Sequence, residues 1–282
     1  MKSIGIVGAG QMGNGIAQIT AQNGYHVVMT DLNQHALDLA MQTIAKNCDR
    51  LIEKEKMNGD DKSSLIKNIK TTTQMHDLSD CDCVIEAVTE ELELKLKIIR
   101  DLDEICKPDA LLCSNTSSIS ITKIAGATKR PTQVCGMHFM NPVPLMTLVE
   151  GIRGLQTSDD TFKKIRIFSE KLGKVFIEAN DHPGFVVNRI LLPMINEAVF
   201  TLSDGIASAE DIDQAMKLGT NQPMGPLALA DLIGLDTCLS IMNVLHEGLG
   251  ESKYRPCPLL VKYVEAGWLG RKTGRGFYVY NK

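Results

Sequence analysis

The 282-residue sequence has no uninterrupted apolar run near the roughly 18 residues that a membrane-crossing helix needs. It also lacks an excess of positive charge, a C-x-x-C pair, an internal repeat and a low-complexity tract. Thirty Lys+Arg stand against 34 Asp+Glu, a net charge of −4, which argues against nucleic acid or an anionic membrane as the default partner. The eight cysteines (Cys48, Cys81, Cys83, Cys106, Cys113, Cys135, Cys238 and Cys257) sit partly in apolar runs and read as reduced, buried small hydrophobes. Cys81-Asp82-Cys83 is a poor zinc half-site because nothing nearby completes four ligands, so no metal is expected. The first apolar run, Ile4–Val7, is too short for a signal-peptide core and leads directly into glycines. A cleavable targeting segment is therefore not expected, and the expected location is cytoplasmic.

What is present is an ordinary globular composition, 44% hydrophobic and 23% charged, with length for two domains. Over the first 180 or so residues short apolar strands alternate with helical patterns. The strands are expected at Ser3–Val7, His26–Thr30, Cys83–Val88, Ala110–Ser114, Val134–His138, Leu145–Glu150 and Val175–Ile177. The helices are expected at Met12–Asn23, Gln34–Glu55, Leu92–Ile105 and Asp159–Leu172. Such alternation with continuously apolar strands predicts an α/β fold with a doubly wound, mostly parallel sheet. Gln34 to about Lys67 is too long for a simple crossover and reads as an inserted helical hairpin. After Asp181-His182-Pro183-Gly184 strand-like runs cease, and five helices are expected: Phe185–Leu202, Ala209–Leu218, Pro226–Ile233, Leu235–Glu247 and Pro258–Ala266. The expected domains are residues 1–183 and an all-α C-terminal domain, residues 184–282. Pro193 is expected to kink or break its helix.

Gly8-Ala9-Gly10-Gln11-Met12-Gly13 follows a strand and opens a helix, as a dinucleotide fingerprint requires. The helix N-terminus offers amide donors and positive partial charge to a pyrophosphate. Asp31, 18 residues after Gly13, ends the second strand and can accept both ribose hydroxyls of NAD while repelling the 2′-phosphate of NADP. The first domain is thus expected to be a Rossmann-type NAD(H)-binding domain.

A second group lies at the ends of later strands, where ligands bind in such sheets. Ser114-Asn115-Thr116-Ser117-Ser118 follows one strand, His138 ends the next, and Glu150 ends the one after. A lone histidine is more often structural, and a Ser/Asn/Thr run is usually only a loop. Beside a dinucleotide site, however, hydride transfer from an alcohol needs a proton acceptor, and imidazole is suited to it near neutrality.

Together with His138-Phe139-Met140-Asn141-Pro142, Asp181-His182-Pro183-Gly184-Phe185-Val186-Val187-Asn188-Arg189, Met224-Gly225-Pro226, Asp231 to Asp236 and Gly270-Arg271-Lys272-Thr273-Gly274-Arg275-Gly276-Phe277-Tyr278, these motifs resemble the L-3-hydroxyacyl-CoA dehydrogenase family over essentially the whole chain. The resemblance implies His138 as the catalytic histidine and Glu150 as its partner, with Ser117 and Asn188 at the substrate oxygens. It implies Asn115, Ser117, Glu90, Lys95 and Lys272 as cofactor contacts beside the Gly8–Gly13 turn and Asp31. Lys54 matches a CoA-phosphate contact, with Arg50 and Asn221 as further substrate contacts. For Lys54 the alternative is a solvated charge, and for Glu90 a charged first helical turn.

The implied activity is NAD-dependent interconversion of (S)-3-hydroxybutyryl-CoA and acetoacetyl-CoA, with Asn188 placing the site in an interdomain cleft. The resemblance also implies a homodimer or higher homo-oligomer through the C-terminal domain. Two rivals stand beside this reading: a dehydrogenase of a free β-hydroxy acid, and a non-catalytic dinucleotide-binding relative.

Overall fold

A computed structural model describes residues 1–280 and divides into two compact units, Met1–His182 and Pro183 onward. The last two positions of the expected second domain lie outside the described residues. In the first unit the strands are β1 (Ser3–Val7), β2 (His26–Thr30), β3 (Ile69–Thr72), β4 (Cys83–Glu86), β5 (Leu111–Ser114), β6 (Val134–Phe139), β7 (Leu148–Arg153) and β8 (Val175–Asn180). The helices are α1 (Gln11–Gln22), α2 (Gln34–Glu53), α3 (Gly59–Lys67), α4 (Leu92–Ile105), α5 (Ile121–Ala125) and α6 (Asp159–Lys171).

The sheet runs β3-β2-β1-β4-β5-β6-β7-β8, with every adjacent pair parallel except β6 and β7. Its central strands carry no alternation because both faces are covered: all of β4 and β5 is buried, as is β6 from Val134 to Phe139. α2 and α3 form the inserted hairpin, closed by a capping box in which Asn58 and Asp61 satisfy each other's backbone N–H groups. Leu37, Ala40, Ile44 and Cys48 of α2 and Leu65 of α3 join the core of the first unit.

The second unit is helical: α7 (Val187–Ser203), α8 (Ala209–Thr220), α9 (Pro226–Ile233), α10 (Leu235–Leu249) and α11 (Pro258–Glu265). They bury Leu192, Ile195, Val199, Leu227, Leu245 and Leu260 in a separate core. Among the described residues no single helix is long and apolar enough to cross a membrane. α9 and α10 reach that composition only together, and they turn by 99° at Gly234.

Four expectations need correction. β3 was not foreseen, because Ile-Lys-Thr-Thr is a four-residue edge strand with one buried position and so presents no apolar run. Nor was α5, which is five residues long and begins where the Ser120 side chain caps the Lys123 N–H. β7 begins at Leu148, not Leu145, because Lys174 donates to the carbonyls of Val143 (2.6 Å) and Met146 (2.7 Å) and holds that segment as a turn. Of the expected kink or break at Pro193, the break is absent, since α7 runs on to Ser203. An interior proline costs about 3 kcal/mol, but Leu192, Ile195, Ala198 and Val199 are all buried, and each large apolar side chain contributes about 1.5–3 kcal/mol. Packing wins.

All eight cysteines are free and buried. Burial pushes the thiols of Cys106 and Cys238 up to about 12, so neither supplies a thiolate near neutrality.

Asp82, just before β4, accepts from the backbone N–H groups of Lys2 and Ser3 and from the Lys107 ammonium. Partial burial would raise its carboxyl, but these donors outweigh that and hold it at about 2. A folded-state value below the unfolded one of about 3.9 gives stability that is complete above it and is lost as the pH falls toward 2. Asp82 is only half-buried, so water screens part of this and keeps the effect small. Asp82→Asn is expected to lower Tm by a few degrees at pH 7, with the gap to wild type closing between about pH 4 and 2. An equal gap at every pH in thermal melts would remove this assignment.

Candidate active site

The carboxyl ends of β1, β2, β4, β5 and β6 gather the site residues of the first unit. Gly8, with φ of 104°, turns the chain out of β1 in a conformation that disfavours any side chain. A Cβ on Gly13 would stand 1.9 Å from the Gly8 carbonyl oxygen, so only glycine lets α1 pack against this turn. A Cβ on Gly10 would meet nothing within 4 Å, so the backbone there faces open space. Ala9, Gln11 and Met12 complete the turn into α1. Asp31 accepts from the Ala9 N–H (2.9 Å) and the Asn33 N–H (3.0 Å), which fixes its carboxylate beside the turn. An open backbone cradle at a helix start, with a carboxylate at its flank, fits a dinucleotide's pyrophosphate and ribose.

The antiparallel pairing of β6 and β7 sets His138 directly opposite Glu150. That register explains how residues twelve apart meet: His138 Nδ1 lies 2.7 Å from Glu150 Oε2. Glu150 is 0% exposed and His138 8%. A carboxylate so far from water demands a strong partner, and an imidazole held this way has its tautomer and ring orientation fixed.

The loop after β5 is organised from two sides. Asn115 Oδ1 accepts from the Phe139 N–H (2.9 Å), linking it to the residue after His138. Glu90 Oε1 accepts from the backbone N–H groups of Ser117 (2.8 Å) and Ser118 (3.0 Å) and from the hydroxyls of Thr116, Ser117 and Ser118. Burial alone would raise the Glu90 carboxyl; the Lys95 charge and the Thr116, Ser118 and Ser117 donors outweigh it and hold it below the ordinary carboxylate range.

Lys95, expected as a cofactor contact, is 2% exposed, and its ammonium lies 2.7 Å from Glu86 and 3.2 Å from Glu90. Sequence reasoning missed Glu86. The available signal was an acidic residue inside an otherwise apolar buried strand, which cannot be left unpaired. It also missed Asp181, whose carboxylate accepts from the Ser120 hydroxyl and from the N–H groups of Ile121 and Thr122, binding the start of α5 to the end of the first unit.

On the hairpin, Lys46, Arg50 and Lys54 are all exposed, Lys54 as the C-cap of α2. None of the three forms an ion pair among the described residues, whereas Lys62 nearby pairs with Asp49. The remaining expected residues belong to the second unit. Asn188 is half-buried in the first turn of α7. Asn221 ends α8 with a φ of 56°. Lys272 donates to both oxygens of Asp236, at 2.5 and 2.6 Å. The segment after Lys272 is anchored by Asp231, which accepts from the N–H groups of Phe277 and Tyr278 and from the Tyr280 hydroxyl. Among the described residues no cluster of His, Cys, Asp and Glu could hold a metal ion.

Residues 3–182 match the NAD binding domain of 3-hydroxyacyl-CoA dehydrogenase, and residues 184–280 match its C-terminal domain. The chain is 56% identical over 280 residues to a 3-hydroxybutyryl-CoA dehydrogenase of Bradyrhizobium diazoefficiens, covering 99% of this chain and 96% of that one. It is 54% identical over 282 residues to a probable 3-hydroxybutyryl-CoA dehydrogenase of Bacillus subtilis, covering 100% and 98%. The crystal structure of (S)-3-hydroxybutyryl-CoA dehydrogenase from Ralstonia eutropha superposes with a TM-score of 0.98 at 54% identity, covering all of both chains. Two matched domains that between them span nearly every residue place the chain in the 3-hydroxyacyl-CoA dehydrogenase family.

Proposed function

We propose that this chain interconverts (S)-3-hydroxybutyryl-CoA and acetoacetyl-CoA with NAD(H), using His138 as acid and base. The observation that carries the reading is the 2.7 Å contact between His138 and the fully buried Glu150, near the carboxyl end of β6 where Asn115 links the Ser117 loop to Phe139.

The nicotinamide, when bound, supplies or accepts the hydride. In oxidation the imidazole takes the proton of the C3 hydroxyl at Nε2, since Nδ1 is held by Glu150; in reduction it returns that proton to the ketone oxygen. Glu150 fixes the tautomer and stabilises the imidazolium, as the carboxylate of a Ser-His-Asp triad does. Ser117 orients the substrate oxygen, an effect that can amount to several kcal/mol of barrier. Asn188, Asn221 and Lys272 are assigned substrate and cofactor roles on the family resemblance alone, and so are Glu90 and Lys95 at the cofactor.

The nucleotide end of CoA carries several negative charges, and the chain as a whole carries −4, so a local basic surface must receive it. Lys46, Arg50 and Lys54 recur every four residues and share one helix face. Contacts to a partly exposed phosphate act on binding more than on chemistry. Lys54→Glu is therefore expected to raise KM for acetoacetyl-CoA several-fold with kcat little changed, and less so at high salt. A short acetoacetyl thioester without the nucleotide should not distinguish mutant from wild type. An equal penalty there would leave the basic face as solvated surface.

The same assay separates the rivals: NADH oxidation at 340 nm with acetoacetyl-CoA, compared with free acetoacetate. Preference for the free acid would favour the β-hydroxy-acid dehydrogenase, and no oxidation with either would favour a non-catalytic protein. A cytoplasmic location accords with eight free thiols. A homodimer through the second unit accords with its exposed Ile190, Ile206 and Leu218; a monomer mass by light scattering at micromolar concentration would end that part of the reading.

A further inference from the structure

We propose that Glu86 and Lys95 form a buried positioning pair that fixes Glu90 and, through Glu90, sets the Ser117 loop for catalysis; this rests on the role given to Ser117 above. Glu86 is the last residue of β4 and is 1% exposed. Its Oε1 accepts from the Val88 N–H and from the Lys95 ammonium, both at 2.7 Å, and its Oε2 accepts from the Ser114 hydroxyl at 2.6 Å. The carboxylate thus joins the ends of β4 and β5 to the first turn of α4.

An ammonium has three protons. Lys95 donates to Glu86 Oε1 at 2.7 Å and to the Val88 carbonyl at 3.2 Å, and Glu90 Oε2 lies 3.2 Å away as a second ion-pair partner. At 2% exposure the cation is held inside the fold. Its charge acts on Glu90 in surroundings where screening by water is weak. Glu90 passes the constraint on, because its other oxygen receives donors from three consecutive residues, Thr116, Ser117 and Ser118. The order is one strand-end carboxylate, one buried cation, a second carboxylate, and the loop that carries the substrate-orienting hydroxyl.

A purely structural ion pair would look the same at rest, so the test must separate stability from positioning. Glu86→Gln keeps the shape of the side chain, but its amide accepts at one end only, so the Ser114 contact must reverse and Lys95 has less compensation. Glu86→Gln/Lys95→Met removes both buried charges together, and Glu90, which loses its cation, keeps its donors from Thr116, Ser117 and Ser118. Three readouts apply to each: Tm, hydrogen exchange of the amides of residues 115–119, and kcat with NADH and acetoacetyl-CoA. In both variants the Ser117 and Ser118 amides should exchange about tenfold faster or more. Turnover should fall by about tenfold or more, well below the melting temperature. The double variant should recover most of the Tm lost by Glu86→Gln, but not the turnover.

If Glu86→Gln does not fold, the double variant carries the test. Unchanged exchange at Ser117 and Ser118 would overturn the proposal, and so would turnover that returns together with Tm, since the pair would then be structural only. Should wild type fail to reduce acetoacetyl-CoA, the proposed function falls, while the exchange measurement still decides whether Glu86 orders the loop.

Discussion

Replacing His138 with alanine should lower turnover of acetoacetyl-CoA at least about a hundredfold, the usual contribution of a positioned general acid or base. NADH affinity should stay near wild type, because the imidazole contacts Glu150 and the change leaves the Gly8–Gly13 turn and Asp31 untouched. Truncation also leaves a fully buried carboxylate without its imidazole, and such a loss can cost about 3–5 kcal/mol of stability. The assay therefore needs a temperature at which circular dichroism shows the variant folded. Glu150→Gln, which keeps a polar partner and removes the charge, should cost less than loss of the imidazole. Near-normal turnover by a folded His138→Ala enzyme would remove His138 from its role.

Asp31→Ser should change cofactor choice. Its two oxygens each accept one backbone N–H, from Ala9 and Asn33, and each carboxylate oxygen has a second lone pair for a ribose hydroxyl. A phosphate in place of that hydroxyl would meet a negative charge, and opposed like charges cost several kcal/mol. With about 1.4 kcal/mol per factor of ten, the substitution should shift the NADPH-to-NADH preference by about 10–100-fold, while raising KM for NADH. The gain is partial because the Ala9 N–H also loses its acceptor. Steady-state rates with each cofactor at saturating acetoacetyl-CoA check this. A wild type that already prefers NADPH would contradict the assignment of Asp31.

Much of the first unit was legible because its strands are buried on both faces and read as continuous apolar runs. β1 and β2 are found at the expected residues, as are α4 and α9. What the sequence did not disclose has common causes. β3 is short and polar, and α5, though its Ile121, Ile124 and Ala125 are buried, spans too few residues to produce a pattern. The start of β7 depends on Lys174, a distant ammonium that binds two carbonyls; burial pushes that ammonium down from its ordinary value. At Pro193 the local cost is visible in the sequence, while the buried side chains that offset it are not.

Within the site, the Gly8–Gly13 turn and Asp31 were legible from local spacing. The meeting of His138 and Glu150 was not, since it follows from an antiparallel register that no spacing of twelve residues implies by itself. Motif resemblance supplied that pair. Resemblance also points to Lys95, and only the fold places its charge inside, against Glu86.

The most direct test of the central claim is oxidation of the two enantiomers of 3-hydroxybutyryl-CoA by NAD⁺, followed as NADH absorbance at 340 nm with purified protein. The (S) enantiomer should give NADH in a reaction that depends on His138, and the (R) enantiomer should give essentially none. Absence of NADH from the (S) substrate, or an equal rate from free 3-hydroxybutyrate, would contradict the account.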